Sequence, residues 1–345
     1  MMNLEKRIET FAALGMVLRN SLNGKDDRKL NGIIENQQFK NHWFTPDNVR
    51  FAIEAIAAEL TEENLLRWTS AYPVLREESK PVNVGLIFAG NIPMAGFHDF
   101  LTVLISGNRP VAKTSSKDPD LIPWMADTLT AINPEFAGYI EFTSGILRGF
   151  DAVIATGSNN SSRYFEYYFA KYPNIIRKNR NSVAILRGDE TPAELTGLGK
   201  DVFSYFGLGC RNVSKIYVPE GYDVSELEKF WRTWSHLKDH SAWANNYDYN
   251  KAIYLVNRQK FHDTGLVLLR EDHRMASPVS VLHYEYYSNE PDVYRETERL
   301  NDSIQCIAGR NHIPFGRTQM PHLWEYADGK DTLEFLLKKN LAGIL

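Results

Sequence analysis

The segment VNVGLIFAG, residues 82–90, is a continuous apolar run that closes on glycine. A strand buried on both faces of a parallel sheet reads in this way, without the alternation of a half-exposed strand. Downstream, the texture repeats. A helix-compatible stretch (94–106) leads to a short strand at 110–113, then a helix at 119–131 and strands at 139–142 and 151–156. A helix at 160–171 and a strand at 182–187 follow. Such alternation of strands and helices predicts a doubly wound α/β sheet.

Upstream of residue 82 the pattern is helical. Leu4, Ile8, Phe11, Leu14 and Leu18 recur at three- and four-residue spacing, the stripe of an amphipathic helix. Thr45-Pro46-Asp47 places a capping residue ahead of a proline at the first helical position. Val49, Ile53, Ile56 and Leu60 carry that helix, and Thr61 opens a third. Residues 1–80 thus form a helical N-terminal segment. Beyond Asp189, a helix at 191–206 runs into GLGCRN, followed by a strand at 213–219 and a helix at 223–236. Strands at 252–256 and 279–284 complete a second α/β unit.

Composition narrows the function. A chain of 345 residues, 43% of them apolar, is long enough for two domains. Its 39 Lys and Arg against 43 Asp and Glu leave a net charge of −4, without the basic excess of a nucleic-acid binder. The aromatic runs at 164–172 and 284–287 sit in no basic field and read as core or interface. No window reaches the roughly 18 apolar residues of a membrane span, and the N-terminus lacks a signal-peptide pattern. Only Cys210 and Cys306 occur, which excludes a disulfide scaffold or a Cys-rich zinc module and fits a reducing cytoplasm. Neither HExxH nor CxxC is present, so no metal site is expected, and P-loop and GxSxG motifs are also absent.

Four segments could carry chemistry. Ala89-Gly90-Asn91 follows the first buried strand, where open α/β sheets bind ligands. Asn91 either aims an amide at a developing negative charge or bonds its own backbone in a turn. Lys113, Ser115, Ser116 and Lys117 at the end of the next strand suit phosphate or ribose hydroxyls, or are an ordinary solvated strand end. Thr156-Gly157-Ser158 opens a helix whose N–H groups would suit a pyrophosphate, or is a tight strand–helix connection. Gly207-Leu208-Gly209-Cys210 follows a helix and lacks a third glycine, so it is no dinucleotide fingerprint. Cys210 there reads as an activated nucleophile or as a small buried apolar residue. Cys306, flanked by apolar residues, reads as structural.

The order of these segments, Asn91, then Lys113 and Ser115, then Thr156-Gly157-Ser158, then Gly207-x-Gly209-Cys210, resembles the aldehyde dehydrogenase superfamily. Within it, the chain looks most like the acyl-CoA reductase branch typified by the reductase subunit of bacterial bioluminescence fatty-acid reductase complexes. The likeness runs from about residue 82 through IPFGRTQ at 313–319 and YADGKDTLEF at 326–335. It implies two Rossmann-like doubly wound α/β domains behind the helical segment. Residues 1–188 would then be the cofactor-binding domain and 189–312 the catalytic domain, with 313–345 returning to the cofactor domain.

The same resemblance implies roles for single residues. Cys210 would be the nucleophile, and Asn91 the side-chain donor of an oxyanion hole completed by the Cys210 N–H. Lys113 and Ser115 would contact the adenosine ribose or its phosphate, and Gly157 and Ser158 would face the cofactor pyrophosphate. Three departures from the family pattern refine the expectation. Where hydrolytic members carry a water-activating glutamate, RKNRNSV at 177–183 has no carboxylate, which favours thioester reduction over aldehyde oxidation. Ser116, followed by Lys117, stands where many NAD-dependent members place a ribose-binding glutamate, so NADPH is expected over NADH. Arg274 stands at the position of a third glutamate, and Glu271 is then a candidate for the nicotinamide ribose.

The expected activity is therefore the NADPH-dependent reduction of a long-chain acyl-CoA or acyl-protein thioester to the aldehyde through an acyl-cysteine. An acyl-protein synthetase subunit is an implied partner. A cysteine-dependent acyltransferase or thioesterase stays open, as does a non-catalytic subunit of an acyl-activating complex. The oligomeric state stays open too, a homo-oligomer included.

Overall fold

The computed structural model describes residues 2–24 and 28–338. Two compact units emerge: Met1–Asn179 together with His322–Leu345, and Arg180–Pro321.

The first unit opens with α1 (Leu4–Asn23), α2 (Arg28–Lys40), α3 (Pro46–Glu59) and α4 (Glu62–Ser70). Their starts obey local chemistry. The side chains of Asn3, Thr45 and Thr61 accept the N–H of Lys6, Asn48 and Asn64, relieving the unpaired donors of three first turns. The whole α1 stripe read from the sequence is buried. Next come β1 (Asn83–Ile87), α5 (Phe97–Ile105), β2 (Arg109–Lys113), α6 (Leu121–Ile132), β3 (Glu141–Thr143), β4 (Ala152–Thr156), α7 (Asn159–Phe169) and β5 (Asn174–Arg177). These strands form one sheet in the order β3-β2-β1-β4-β5, every pairing parallel. Val84 pairs with Pro110 on one side and Ala152 on the other, and is fully buried. From β1 the chain goes to β2 on one side and later fills the other side with β4. The strand order therefore reverses between β1 and β4, the place where open α/β sheets hold ligands.

The second unit contains β6 (Asn181–Ile185), α8 (Pro192–Phe203), β7 (Val213–Pro219), α9 (Ser241–Val256), β8 (His262–Asp263), β9 (Leu268–Glu271), β10 (Val281–Tyr287), α10 (Glu290–Arg299) and β11 (Ile304–Ala308). Its sheet runs β11-β6-β7-β10-β9-β8, parallel except for β8 on β9. Thr191 and Glu194 form a reciprocal capping box at the start of α8.

Several expectations are met differently. The units divide after Asn179, whereas the sequence reading set the break at 188/189. β5 pairs with β4 while β6 pairs with β7, so the chain changes sheet between Arg177 and Asn181. A regular alternation of strands and helices does not tell which sheet a strand joins. Residues 313–321 stay with the second unit, because Gly316 N and Thr318 N donate to the buried Asp201 carboxylate. The return to the first unit begins at His322, and 339–345 of the expected segment lie outside the described residues. The run at 252–256, read as a strand, is the last turn and a half of α9. A short apolar run fits either period, and here a helix already started at Ser241 continues through it. Residues 223–236 form two successive 3-10 stretches, not an α-helix. Of the two readings of the run at 164–172, core or interface, Tyr164, Tyr167 and Tyr168 on α7 do not take the first, since they are exposed.

Candidate active site

In the second unit the site is built on the end of α8. A helix leaves its last carbonyls without partners inside the helix. Past Phe203, the residues Tyr205, Phe206 and Gly207 take φ of +52°, +57° and +71°. Left-handed backbone disfavours side chains with a Cβ by about 1–2 kcal/mol per residue, so Tyr205 and Phe206 persist only because their surroundings over-determine them. Asn212, 2% exposed, is central to those surroundings. Its Nδ2 donates to the carbonyls of Asp201 (3.0 Å) and Ser204 (2.8 Å), and its Oδ1 accepts the Gly209 N–H at 2.8 Å. The Asn212 N–H donates to the Gly209 carbonyl at 3.0 Å, closing a turn with Cys210 and Arg211 at its centre. From the neighbouring strand the Ser182 hydroxyl donates to the Cys210 carbonyl at 2.9 Å. Arg211 Nη1 donates to the Thr318 carbonyl at 3.3 Å. Cys210 itself is exposed. The turn thus combines a held backbone with a solvent-facing thiol.

Cys306, expected to be a buried apolar thiol, is half-buried on β11. Its Sγ lies 3.1 Å from Ser182 Oγ, and its N–H donates to the same oxygen at 3.2 Å. A register shift between β11 and β6 brings the two together, and no sequence motif announces such a shift. Ser182 and Asn212 are the residues sequence reasoning missed, although Ser182 lies within the stretch noted for its lack of a carboxylate. Arg274 forms a bidentate pair with Asp272, Nε donating to Oδ1 at 3.0 Å and Nη2 to Oδ2 at 2.7 Å, and these hydrogen bonds hold the Asp272 carboxyl well below the usual range. Glu271 is exposed at the end of β9.

In the first unit the other named residues gather at the carboxyl ends of three adjacent strands. Gly90 and Asn91 follow β1, Lys113 through Lys117 end β2, and Gly157 and Ser158 follow β4. Asn91, Ser116, Lys117 and Ser158 are exposed, while Lys113 and Ser115 are half-buried. The β1 and β2 exits touch: a Cβ at Gly90 would lie 2.3 Å from Ser115 Oγ. Ser115 Oγ accepts the Lys117 N–H at 3.2 Å. Two buried side chains, also unmarked in the sequence, hold these exits in place. Asn41 Nδ2 donates to the carbonyls of Gly90 and Lys117, both at 3.4 Å. Asp118 Oδ2 accepts the N–H of Met94 at 2.8 Å, and burial pushes the Asp118 carboxyl up to about 6.

This arrangement fits a dinucleotide. Ser158 caps α7 through Ser161 N, so the first turn of that helix opens at the strand-order reversal with its positive end toward solvent. A Cβ at Gly157 would meet Phe165 at 2.8 Å and Ser161 at 2.9 Å, showing how closely α7 approaches β4. Lys113 and Lys117 offer cations. The nearby carboxylates are engaged elsewhere: Asp118 faces inward, and Asp120 pairs with Lys40. Among the described residues, no group of three His, Cys, Asp or Glu could hold a metal ion, and no helix is long and apolar enough to cross a membrane.

With two parallel-sheet units of this topology, the chain has the aldehyde dehydrogenase fold. It aligns with aldehyde dehydrogenase 21 from Physcomitrella patens, solved with the reaction product succinate, at a TM-score of 0.66 and 12% identity. That match covers 97% of this chain and 84% of the other. An aldehyde dehydrogenase from Bacillus cereus solved with NAD+ aligns at a TM-score of 0.61 and 12% identity, covering 89% of this chain and 72% of that one. In sequence, the chain is similar to a long-chain acyl-protein thioester reductase from Photorhabdus laumondii, 21% identical over 195 residues. This relative agrees with the branch of the superfamily that the ordered motifs resemble. The match covers 50% of the chain and 39% of the relative, so it spans well under half of that protein. No family model matches the chain.

Proposed function

We propose that this protein reduces a long-chain fatty acyl thioester, carried by coenzyme A or by protein, to the aldehyde, with NADPH as reductant. The observation that carries this reading is the exposed thiol of Cys210 on a turn pinned by Asn212 and Ser182. Cys210 Sγ attacks the thioester carbonyl, the bond to the carrier sulfur breaks, and the carrier leaves as a thiolate. Thiolates are good leaving groups, so no general acid is required at this step. The Cys210 N–H and the Asn91 amide are assigned the oxyanion that develops.

When bound, NADPH would supply a hydride to the acyl-cysteine carbonyl; the bond to Cys210 Sγ then breaks, releasing the aldehyde and returning the Cys210 thiolate. Lys113 and Ser115 are assigned its adenosine ribose or phosphate, Ser116 and Lys117 its 2′-phosphate, and Gly157 and Ser158 its pyrophosphate. Residues 177–183 offer no carboxylate to activate water, and Ser182 in that stretch is turned to the Cys210 carbonyl instead. The acyl-cysteine therefore survives until it is reduced. An acyl-protein synthetase is the partner this reading implies as supplier of the acyl group.

The test is to follow NADPH oxidation and thiol release together while the purified protein turns over tetradecanoyl-CoA. Equal rates support the reductase. Thiol release without NADPH oxidation would make the protein a cysteine acyltransferase or thioesterase, and no acyl adduct at Cys210 would make it a non-catalytic subunit.

A further inference from the structure

Resting on the reading of Cys210 as nucleophile, we propose that Asn212 is the positioning residue of that nucleophile, with Ser182 holding the opposite side of the same turn. Asn212 touches neither thiol nor substrate in this reading; it acts through the backbone. One amide group performs two tasks. Its Nδ2 collects carbonyls left over at the end of α8, those of Asp201 and Ser204. Its Oδ1 takes the Gly209 N–H, immediately before the nucleophile. The left-handed run Tyr205-Phe206-Gly207 lies between these two anchors, so Asn212 sets the direction in which the chain emerges at Cys210.

Alternative side chains at this position fail one task or the other. An aspartate keeps the acceptor but faces two carbonyls with negative charge. A serine is too short to reach both α8 and Gly209. Ser182 is fully buried on β6, and its hydroxyl hydrogen goes to the Cys210 carbonyl. Its oxygen then accepts from the Cys306 N–H and from the Cys306 thiol. Cys306 thereby orients the hydroxyl toward the nucleophile's turn. Misplacing a reacting group by about 1 Å lowers rates on the order of 100-fold, whereas a small unselective alkylating reagent tolerates such displacement.

That difference is the test. Asn212→Ala, Asn212→Asp and the milder Ser182→Ala are compared with the unaltered chain. Three quantities are read: acylation of Cys210 by tetradecanoyl-CoA in single turnover, alkylation of Cys210 by iodoacetamide, and the melting temperature. Peptide mass spectrometry resolves Cys210 from Cys306. The expected result is acylation slowed about 100-fold in the Asn212 variants and about tenfold in Ser182→Ala. Alkylation should stay within about threefold in every variant that melts above the assay temperature. Should Asn212→Ala fail to fold, Ser182→Ala decides. Acylation within threefold of the unaltered chain, or acylation and alkylation changing in parallel, overturns the positioning role. No acyl adduct in the unaltered chain overturns the functional reading, and this inference with it.

Discussion

Asp118 Oδ2 accepts the backbone N–H of Met94 at 2.8 Å, so a buried carboxyl just past β2 fixes the loop that leaves β1. Met94 sits at φ +59°, a conformation its side chain disfavours, and this bond helps hold it there. The other carboxyl oxygen, Oδ1, is buried without a hydrogen-bond partner. Burial is the main cause that raises the carboxyl from 3.8 to about 6, with Asp120 adding to it and the N–H groups of Met94 and Leu121 opposing.

A pH-dependent stability follows from that carboxyl. The native state holds the Asp118 proton more tightly than the unfolded state, so stability falls as pH rises from about 4 to about 6 and is level above. The full effect is on the order of 3 kcal/mol. Asn at this position keeps an oxygen for the Met94 N–H and carries no charge. Asp118→Asn should therefore gain stability over the unaltered chain across that interval and keep the gain at pH 8. Urea unfolding at a series of pH values checks this; identical slopes in the two proteins would be the contrary result.

A second prediction concerns the C-terminal return. Arg177, 4% exposed, donates to Asp99 Oδ1 at 2.7 Å, to the Ala327 carbonyl at 2.6 Å and to Thr332 Oγ1 at 2.8 Å. The guanidinium thereby ties α5 and residues 327–332 to the end of β5. Arg177→Leu leaves the Asp99 carboxylate buried without its cation, which costs about 3–5 kcal/mol. Arg177→Leu combined with Asp99→Leu removes that pair and should recover part of the loss, because Asp328 Oδ2, 4.0 Å from the guanidinium and on a side chain that is also buried, still loses its cation. Denaturant midpoints of the two variants decide it, and a double variant no more stable than the single one would refute the account.

Legibility in the sequence followed the range of the interactions. The buried run at 82–90, the α1 stripe and the Thr45 and Thr61 caps are local patterns, and each reappears in the fold. The doubly wound α/β class was legible in the alternation of strands and helices, and the aldehyde dehydrogenase fold was implied by the resemblance that Asn91, Lys113, Thr156-Gly157-Ser158 and Cys210 carry in their order. Long-range pairings were not legible. Neither Asn41 reaching Gly90 nor Ser182 reaching Cys210 leaves a periodic trace, since a loop asparagine or a strand serine looks alike whether it faces water or a buried carbonyl. The division of strands between two sheets was hidden for the same reason. β5 and β6 are separated only by Lys178, Asn179 and Arg180, with no composition change to mark the crossing.

The thiol prediction is the sharpest. Cys210→Ala should form no acyl adduct and release no aldehyde, a loss of more than about 1000-fold, because covalent capture has no other nucleophile on that turn. Melting temperature should change little, since Cys210 is exposed. Mass spectrometry after incubation with tetradecanoyl-CoA tests the first statement, and aldehyde trapping tests the second. Turnover surviving in Cys210→Ala would remove the residue from the mechanism.

Cofactor choice tests the reading of the β2 exit. Ser116 and Lys117 are both exposed there, and Ser115 lies against the Gly90 backbone. A carboxylate at position 116 would accept the two ribose hydroxyls of NADH and repel the 2′-phosphate of NADPH; the serine does neither. Lys117 adds a cation that favours the phosphate. Ser116→Glu should therefore lower kcat/KM for NADPH by at least about tenfold, the equivalent of about 1.4 kcal/mol, while NADH is used equally well or better. Lys117→Ala should weaken NADPH alone. Steady-state kinetics with both nicotinamides across salt concentrations separate the two contributions, because an exposed lysine's share fades as ionic strength rises. If the unaltered chain already prefers NADH, the serine at 116 is not reading the phosphate, and the anion must be excluded or accepted by groups elsewhere on the β1–β2–β4 edge.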